Sequence, residues 1–302
     1  MAEPNPFADA ANKPVAFDLP DGTITARQLL DQPVPDFNTK DGAASQSTDQ
    51  NVNFEGIHEA KFDQHQTLFG ADRGGYPLSL PSAKFYPIAQ VNFGPTTHEA
   101  QAVNIARHYW LTPVSQVLGK KIVTGTTSIS YHVEEEVKGI FQRPNNGEKA
   151  NIAGYIDAAW LLGSEYIAFA EFKRPGALVK NHWITDGVVV RKAKTISQQV
   201  IKYSYATKKK YFIVSDAKVM IFLRFDNPSD GYVSYVRKTT APPPKTPGVT
   251  ERVSGSTRTG AAAAPTTGWP PVSVKAVWAD DRTLYKPQLY AFVVKAALDK
   301  ER

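Results

Sequence analysis

Apolar positions recur along this chain at two spacings, and the change from one to the other marks its organisation. Between Thr97 and Leu118, the residues Ala100, Val103, Ile105, Ala106, Tyr109, Trp110 and Val114 fall at roughly helical spacing, which predicts a helix. Thr96 or Thr97 is placed to cap it, and Glu99 sits in the first turn, where the helix dipole favours an anion. Pro113 is expected to end or kink the helix near Leu111. Strand-like patterns follow. Lys121–Ile129 is rich in β-branched residues, Ser130–Ile140 alternates in part, and Pro144-Asn145-Asn146-Gly147 makes a turn into a strand over Ala150–Leu162. Glu165–Lys173 reads as a buried strand ended by Pro175-Gly176. Thr195–Ala206 carries Ile196, Val200 and Tyr203 on one helical face. Tyr211–Ser215 and Val219–Phe225 are apolar strands around the hairpin turn Ser215-Asp216-Ala217-Lys218, and Tyr232–Val236 is a further strand. A helix from Pro287 to Lys300 has its proline in the first turn and Leu289, Phe292, Val293, Ala296 and Ala297 as a core face. This alternation predicts an α/β or α+β fold, with a central mixed β-sheet flanked by helices.

The flanks read differently. Residues 1–55 are rich in Asp, Pro, Asn and Ser, with one short helix around Ile24–Leu30 that Thr23 or Thr25 can cap. Residues 56–96 carry Phe62, Phe69, Tyr76, Phe85, Tyr86 and Phe93 among Gly and Pro, which predicts irregular structure packed on a core. Residues 238–271 hold Pro242-Pro243-Pro244, four alanines from Ala261 and many Ser, Thr and Gly, the composition of a flexible insert. The expected organisation is therefore an acidic, loop-rich N-terminal extension over residues 1–90, packed on a domain over residues 91–302.

Charge sharpens that division. The 302 residues have a formal net charge of +6, but residues 1–90 hold 6 basic and 12 acidic side chains, and residues 91–302 hold 29 basic and 17 acidic ones. An acidic segment on a basic body points to a polyanionic partner. Composition excludes other classes. With no cysteine, thiol nucleophiles, disulfide scaffolds, zinc–cysteine sites and iron–sulfur clusters are out. No apolar run reaches the ~18 residues of a membrane span. Met1-Ala2-Glu3-Pro4-Asn5-Pro6-Phe7 has neither the basic nor the apolar region of a secretory signal, so an intracellular protein of nucleus or cytoplasm is expected.

Candidate chemistry concentrates in three short patterns: Gly154-Tyr155-Ile156-Asp157, Glu171-Phe172-Lys173, and Gln199-Val200-Ile201-Lys202-Tyr203. Asp157 and Glu171 are 14 residues apart, which suits adjacent antiparallel strands joined at Gly163-Ser164. Two carboxylates side by side on a sheet make a hard-oxygen site suited to Mg²⁺ or Mn²⁺. Lys173, two residues after Glu171, projects from the same face of the strand, where an ammonium can orient a metal-bound water and stabilise developing charge. The simplest chemistry for that set is phosphodiester hydrolysis.

In this order, Gly-x-x-Asp, Glu-x-Lys and Gln-x-x-x-Tyr resemble the PD-(D/E)XK nuclease superfamily, particularly its RecB-type branch, over roughly 130 of the 302 residues. The resemblance implies a restriction-endonuclease-like core of helix, three strands, helix and strand. It implies that Asp157 and Glu171 are metal ligands, that Lys173 orients the attacking water, and that Gln199 and Tyr203 face the site from the second helix. It also implies an acid from the first helix, for which Glu99 is the best match and His98 the weaker one. Ile156 stands where much of the superfamily has proline. The implied activity is that of a Mg²⁺- or Mn²⁺-dependent deoxyribonuclease, with DNA favoured over RNA. The strands ending Phe222-Leu223-Arg224-Phe225 are also similar to nuclease-like domains of fungal proteins, some of which are joined to kinase-type domains, but this chain has no kinase glycine loop and no His-Arg-Asp loop. The alternative is a non-catalytic module of the same fold that binds nucleic acid or a host protein.

Flanking charge fits a nucleic-acid partner. Residues 173–210 hold 10 basic side chains and one acid, Asp186. Arg174, Lys180, Arg191, Lys192, Lys194 and Lys202 are the candidate phosphate contacts, and His182 and Trp183 can stack on bases. Blander readings stand beside these. Glu99 is equally a dipole-stabilising acid, Gln199 and Tyr203 are equally packing residues with polar tips, and Lys208-Lys209-Lys210 suits a solvated helix end.

Overall fold

In the computed structural model, described over residues 22–37, 57–70, 80–91, 93, 96, 98–124, 127–142, 149–183, 189, 191–226 and 272–300, the apolar strands assemble edge to edge. The strands are β1 (Ile24–Thr25), β2 (Ile57–Lys61), β3 (Lys84–Phe85), β4 (Ile122–Thr124), β5 (Thr127–Gln142), β6 (Lys149–Leu162), β7 (Glu165–Phe172), β8 (Tyr211–Ser215), β9 (Met220–Phe225) and β10 (Val272–Ala279). Eight of them form one mixed sheet in the order β2-β10-β9-β8-β7-β6-β5-β4, and β1 pairs with β3 separately. The class is α+β, a mixed sheet flanked by helices.

Local chemistry explains the connections. β5, β6 and β7 are an antiparallel meander, and Gly163 (φ 63°) supplies the left-handed residue of the β6–β7 turn. β7 and β8 run parallel because a helix crosses between them. The β8–β9 turn is closed by Asp216, whose carboxylate accepts from the backbone N–H groups of Lys218 and Val219, each at 3.0 Å.

The sheet has a core on each face. On one face pack α1 (Ala26–Asp31), α2 (His65–Phe69), the helix made of α3 (Glu99–Ala106) and α4 (Thr112–Gly119), and α7 (Tyr285–Lys300), with Trp110, Trp160, Tyr285 and Phe292 fully buried. On the other pack α5 (Lys180–Trp183) and α6 (Arg191–Thr207), over Phe169, Phe212 and Val214. Each such aromatic or branched side chain contributes about 1.5–3 kcal/mol by leaving water. α7 is buried on nearly every side, Lys286 and Gln288 included, rather than along one face.

Several expectations change. α3 starts after His98, whose backbone N–H donates to Gln101 Oε1 at 3.2 Å, so neither Thr96 nor Thr97 caps it. Pro113 does not end the helix. Arg107–Leu111 forms a π turn, and the helix continues through Pro113 to Gly119. Residues 56–96 are not wholly irregular, because Ile57–Lys61 is a strand of the main sheet and His65–Phe69 a helix. Thr25 does cap α1, in a reciprocal box with Gln28. The strand expected at Tyr232–Val236, the turn at Pro144–Gly147 and the insert over residues 238–271 lie outside the described residues.

Candidate active site

The site forms where β6 and β7 part. Their pairing runs from Leu162↔Glu165 to Ala158↔Ala170, and one step further sets Asp157 opposite Glu171. There the β6–β7 ladder gives way to one side-chain bond and one backbone bond to β8. Asp157 Oδ2 accepts from the Phe172 N–H at 2.6 Å, and the Lys173 N–H donates to Ser215 O on β8 at 2.7 Å.

Glu171 is only 5% exposed. Its Oε1 accepts from Lys173 Nζ at 2.6 Å and from Gln199 Nε2 at 2.7 Å. Its Oε2 is buried with no hydrogen-bond partner. Burial pushes the Glu171 carboxyl up to about 7; the Lys173 ammonium pulls it down, and the Asp157 and Glu99 charges push it up. Burial likewise raises Asp157, against the Phe172 N–H and Lys173, with Glu99 adding to the rise. Burial opposes the charge on Lys173, but Glu171, Glu99 and Asp157 together hold its pKa above the ordinary lysine value.

Gln199 and Tyr203, one turn apart on α6, are joined to each other and to the strand. Gln199 Nε2 also lies 3.2 Å from Tyr203 Oη, and Tyr203 Oη donates to Tyr155 O at 3.1 Å. This explains the glycine of Gly-x-x-Asp. A Cβ on Gly154 would lie 2.8 Å from Tyr203 Cε1, too close for any other residue without moving the ring.

Sequence reasoning missed three residues near the pair. Arg107 lies at the start of the π turn, and its Nη2 donates to Glu134 Oε1 at 3.0 Å. Glu134 falls opposite Asp157 in the β5–β6 register and adopts φ 54°, a left-handed conformation costly for a non-glycine residue. Arg107 acts electrostatically on both Asp157 and Tyr131, and burial raises the Tyr131 phenol to about 12. The sequence signal was slight, since only Pro113 hinted at irregularity in this helix.

Asp157, Glu171, Lys173, Gln199 and Tyr203 are thus brought together. Glu99, half-buried, reaches the first three through its charge. The candidate phosphate contacts do not form one face. Arg174 is half-buried and Lys194 exposed, and Lys180 is exposed and paired with Asp280 at 3.5 Å. Lys202 is 8% exposed with its ammonium 5.8 Å from the Tyr203 ring, so it belongs to the packing of α6 and not to a basic surface. Trp183 is fully buried and has no face to offer a base. Arg191 and Lys192 lie in the first turn of α6, and their side chains are outside the described residues.

Among the described residues no three His, Asp or Glu side chains form a ready-made metal cluster. The Asp157–Glu171 pair nevertheless fits a hard divalent cation in donor chemistry, because it offers two desolvated carboxylates and one buried oxygen without a partner. No protein-family model, no curated protein and no solved structure matches this chain.

Proposed function

We propose that the protein is a metal-dependent nuclease of the PD-(D/E)XK type acting on DNA. One observation carries the reading: a buried glutamate, held by a lysine and a glutamine, keeps an unpartnered oxygen beside a second desolvated carboxylate. A fold does not bury such charge for stability, since an unpaired buried oxygen costs about 1–3 kcal/mol or more. The element order agrees, with helix α3–α4, meander β5-β6-β7, crossing helix α6 and parallel strand β8. Asp157 and Glu171 would hold Mg²⁺ or Mn²⁺, which supplies an activated water and charge stabilisation. Lys173 would orient that water, Gln199 would fix the Glu171 carboxylate, and Tyr203 would fix the strand at Gly154–Tyr155. With Mg²⁺ or Mn²⁺ the purified protein is expected to degrade DNA; absence of metal-dependent cleavage of any DNA or RNA would reject the reading.

The hydrogen bonds that already occupy the pair, from Lys173 and Gln199 to Glu171 Oε1 and from the Phe172 N–H to Asp157 Oδ2, favour a second reading, a non-catalytic nucleic-acid-binding module on this fold. It predicts salt-sensitive binding that survives Asp157→Ala and Glu171→Ala. Measuring cleavage and binding on the same variant separates the two.

A further inference from the structure

The opposite end of β7 and β8 holds a second concentration of charge, of the other sign. Tyr166, at the start of β7, is five residues and therefore about 17 Å from Glu171 along the strand. There a cleft of about 440 Å³ is lined by Lys208, Lys209, Lys210, Arg224, Lys295 and Lys300, with Asp299 the one acid among its described lining residues. Its size lies within the ~300–1,000 Å³ of small-ligand pockets.

The floor is a fixed polar network. Arg224 Nε donates to Tyr211 Oη at 3.0 Å, Tyr211 donates to Asp299, and Lys295 binds the same carboxylate. Arg224 Nη1 reaches Asp226 at 2.8 Å. On the rim, Glu165 is shared by Lys209 at 3.7 Å and Lys300 at 3.4 Å. Lys208 and Lys210 have no ion pair among the described residues, and Lys208 is exposed. Lys275 also pairs with Asp226, at 3.5 Å, so among the described residues seven cations face three carboxylates, Asp299, Glu165 and Asp226.

A helix dipole accounts for part of this. α6 ends at Thr207, and its C-terminus brings about half a negative charge. Among the described residues that leaves the cleft positive by roughly three charges, crowded in a concave site where they repel unless an anion joins them. Lysine ammoniums are point-charge partners for phosphate, and several of them call for several phosphates.

We propose that this cleft binds an anion carrying clustered phosphate groups, of the size of inorganic tripolyphosphate or a nucleotide. The proposal is independent of the nuclease reading. The test is titration calorimetry with inorganic tripolyphosphate at low salt and in EDTA, so that no divalent ion links the anion to Asp157 and Glu171. Saturable binding is expected, weakened about tenfold or more by Lys208→Gln/Lys210→Gln, strengthened by Glu165→Gln, and unchanged by Glu171→Gln. Absence of binding, or equal binding by the double variant, overturns the proposal. A parallel titration with a short single-stranded oligonucleotide distinguishes the source: binding of the strand alone through Lys208 and Lys210 also overturns it, in favour of a backbone path.

Discussion

Two buried carboxylates sit at the same end of the sheet, and they are held in opposite ways. Asp216, in the turn after β8, is fully buried, and its oxygens accept from the N–H groups of Leu178, Lys218 and Val219. Burial raises its pKa and those backbone bonds lower it. It ties the segment after β7 to the β8–β9 turn. Glu171, at the end of β7, takes its partners from flexible side chains and keeps one oxygen unpartnered. Burial alone therefore does not mark a site. The difference lies in what satisfies the charge: fixed backbone donors in one case, and an incomplete set of mobile donors in the other.

The largest effect that can break this comparison is on activity. Asp157→Ala, Glu171→Ala and Lys173→Ala should each lower metal-dependent DNA cleavage by at least about a hundredfold, whereas Asp216→Asn should leave cleavage measurable in whatever fraction stays folded. Equal losses at all four positions, measured at equal folded fraction, would erase the distinction. Next in size is stability. Asp216→Ala strands three backbone donors and should cost about 2–5 kcal/mol in denaturant unfolding; Glu171→Gln should cost much less.

The third effect is on pH dependence. The folded pKa of Glu171, about 7, lies above the ordinary carboxyl value of 4.5. The stability it contributes is complete below pH 4.5 and lost as pH rises through 7, on the order of 3 kcal/mol over that window. Relative to Glu171→Gln, the metal-free wild type should therefore weaken from pH 4.5 to 7, and Mg²⁺ should restore the wild type but not the variant. Parallel pH curves for the two proteins would remove Glu171 from the account. The smallest expected effect is at Gly154. Gly154→Ala forces the Tyr203 ring aside, at about 1–3 kcal/mol of overpacking, and Tyr203→Leu in the same chain should recover most of that loss.

These effects rest on residues that were legible in the sequence for physical reasons. Glu171 and Lys173 share a strand face at period two, and Gln199 and Tyr203 share a helix face one turn apart, so local geometry alone predicts their company. The Gly163-Ser164 turn made the Asp157–Glu171 pairing readable as well. The parts that escaped depend on non-local packing. Nothing local indicates that Glu134 is left-handed, or that the π turn brings Arg107 to it. Composition marks Lys202 as a phosphate contact and Trp183 as a base-stacking face, but it does not tell which way α6 and α5 turn their side chains. β2, Ile57-His58-Glu59-Ala60-Lys61, is short and polar, and it is a strand because β10 lies beside it. β10 itself alternates apolar residues at Val272, Val274 and Ala276, a strand signal directly after the Pro- and Ala-rich stretch.

The β2–β10 pair sets an order of events in time. Ile57 pairs with Val272 and Lys61 with Lys275, in parallel. During synthesis β2 therefore has no sheet neighbour until residues beyond 270 have emerged, while β5 to β9, which carry Asp157, Glu171 and Lys173, can already meet. The half of the sheet that carries the candidate site is ready first, and the strand that closes the opposite edge waits for a closure over 214 residues, between Glu59 and Ser273, the kind of contact that slows folding.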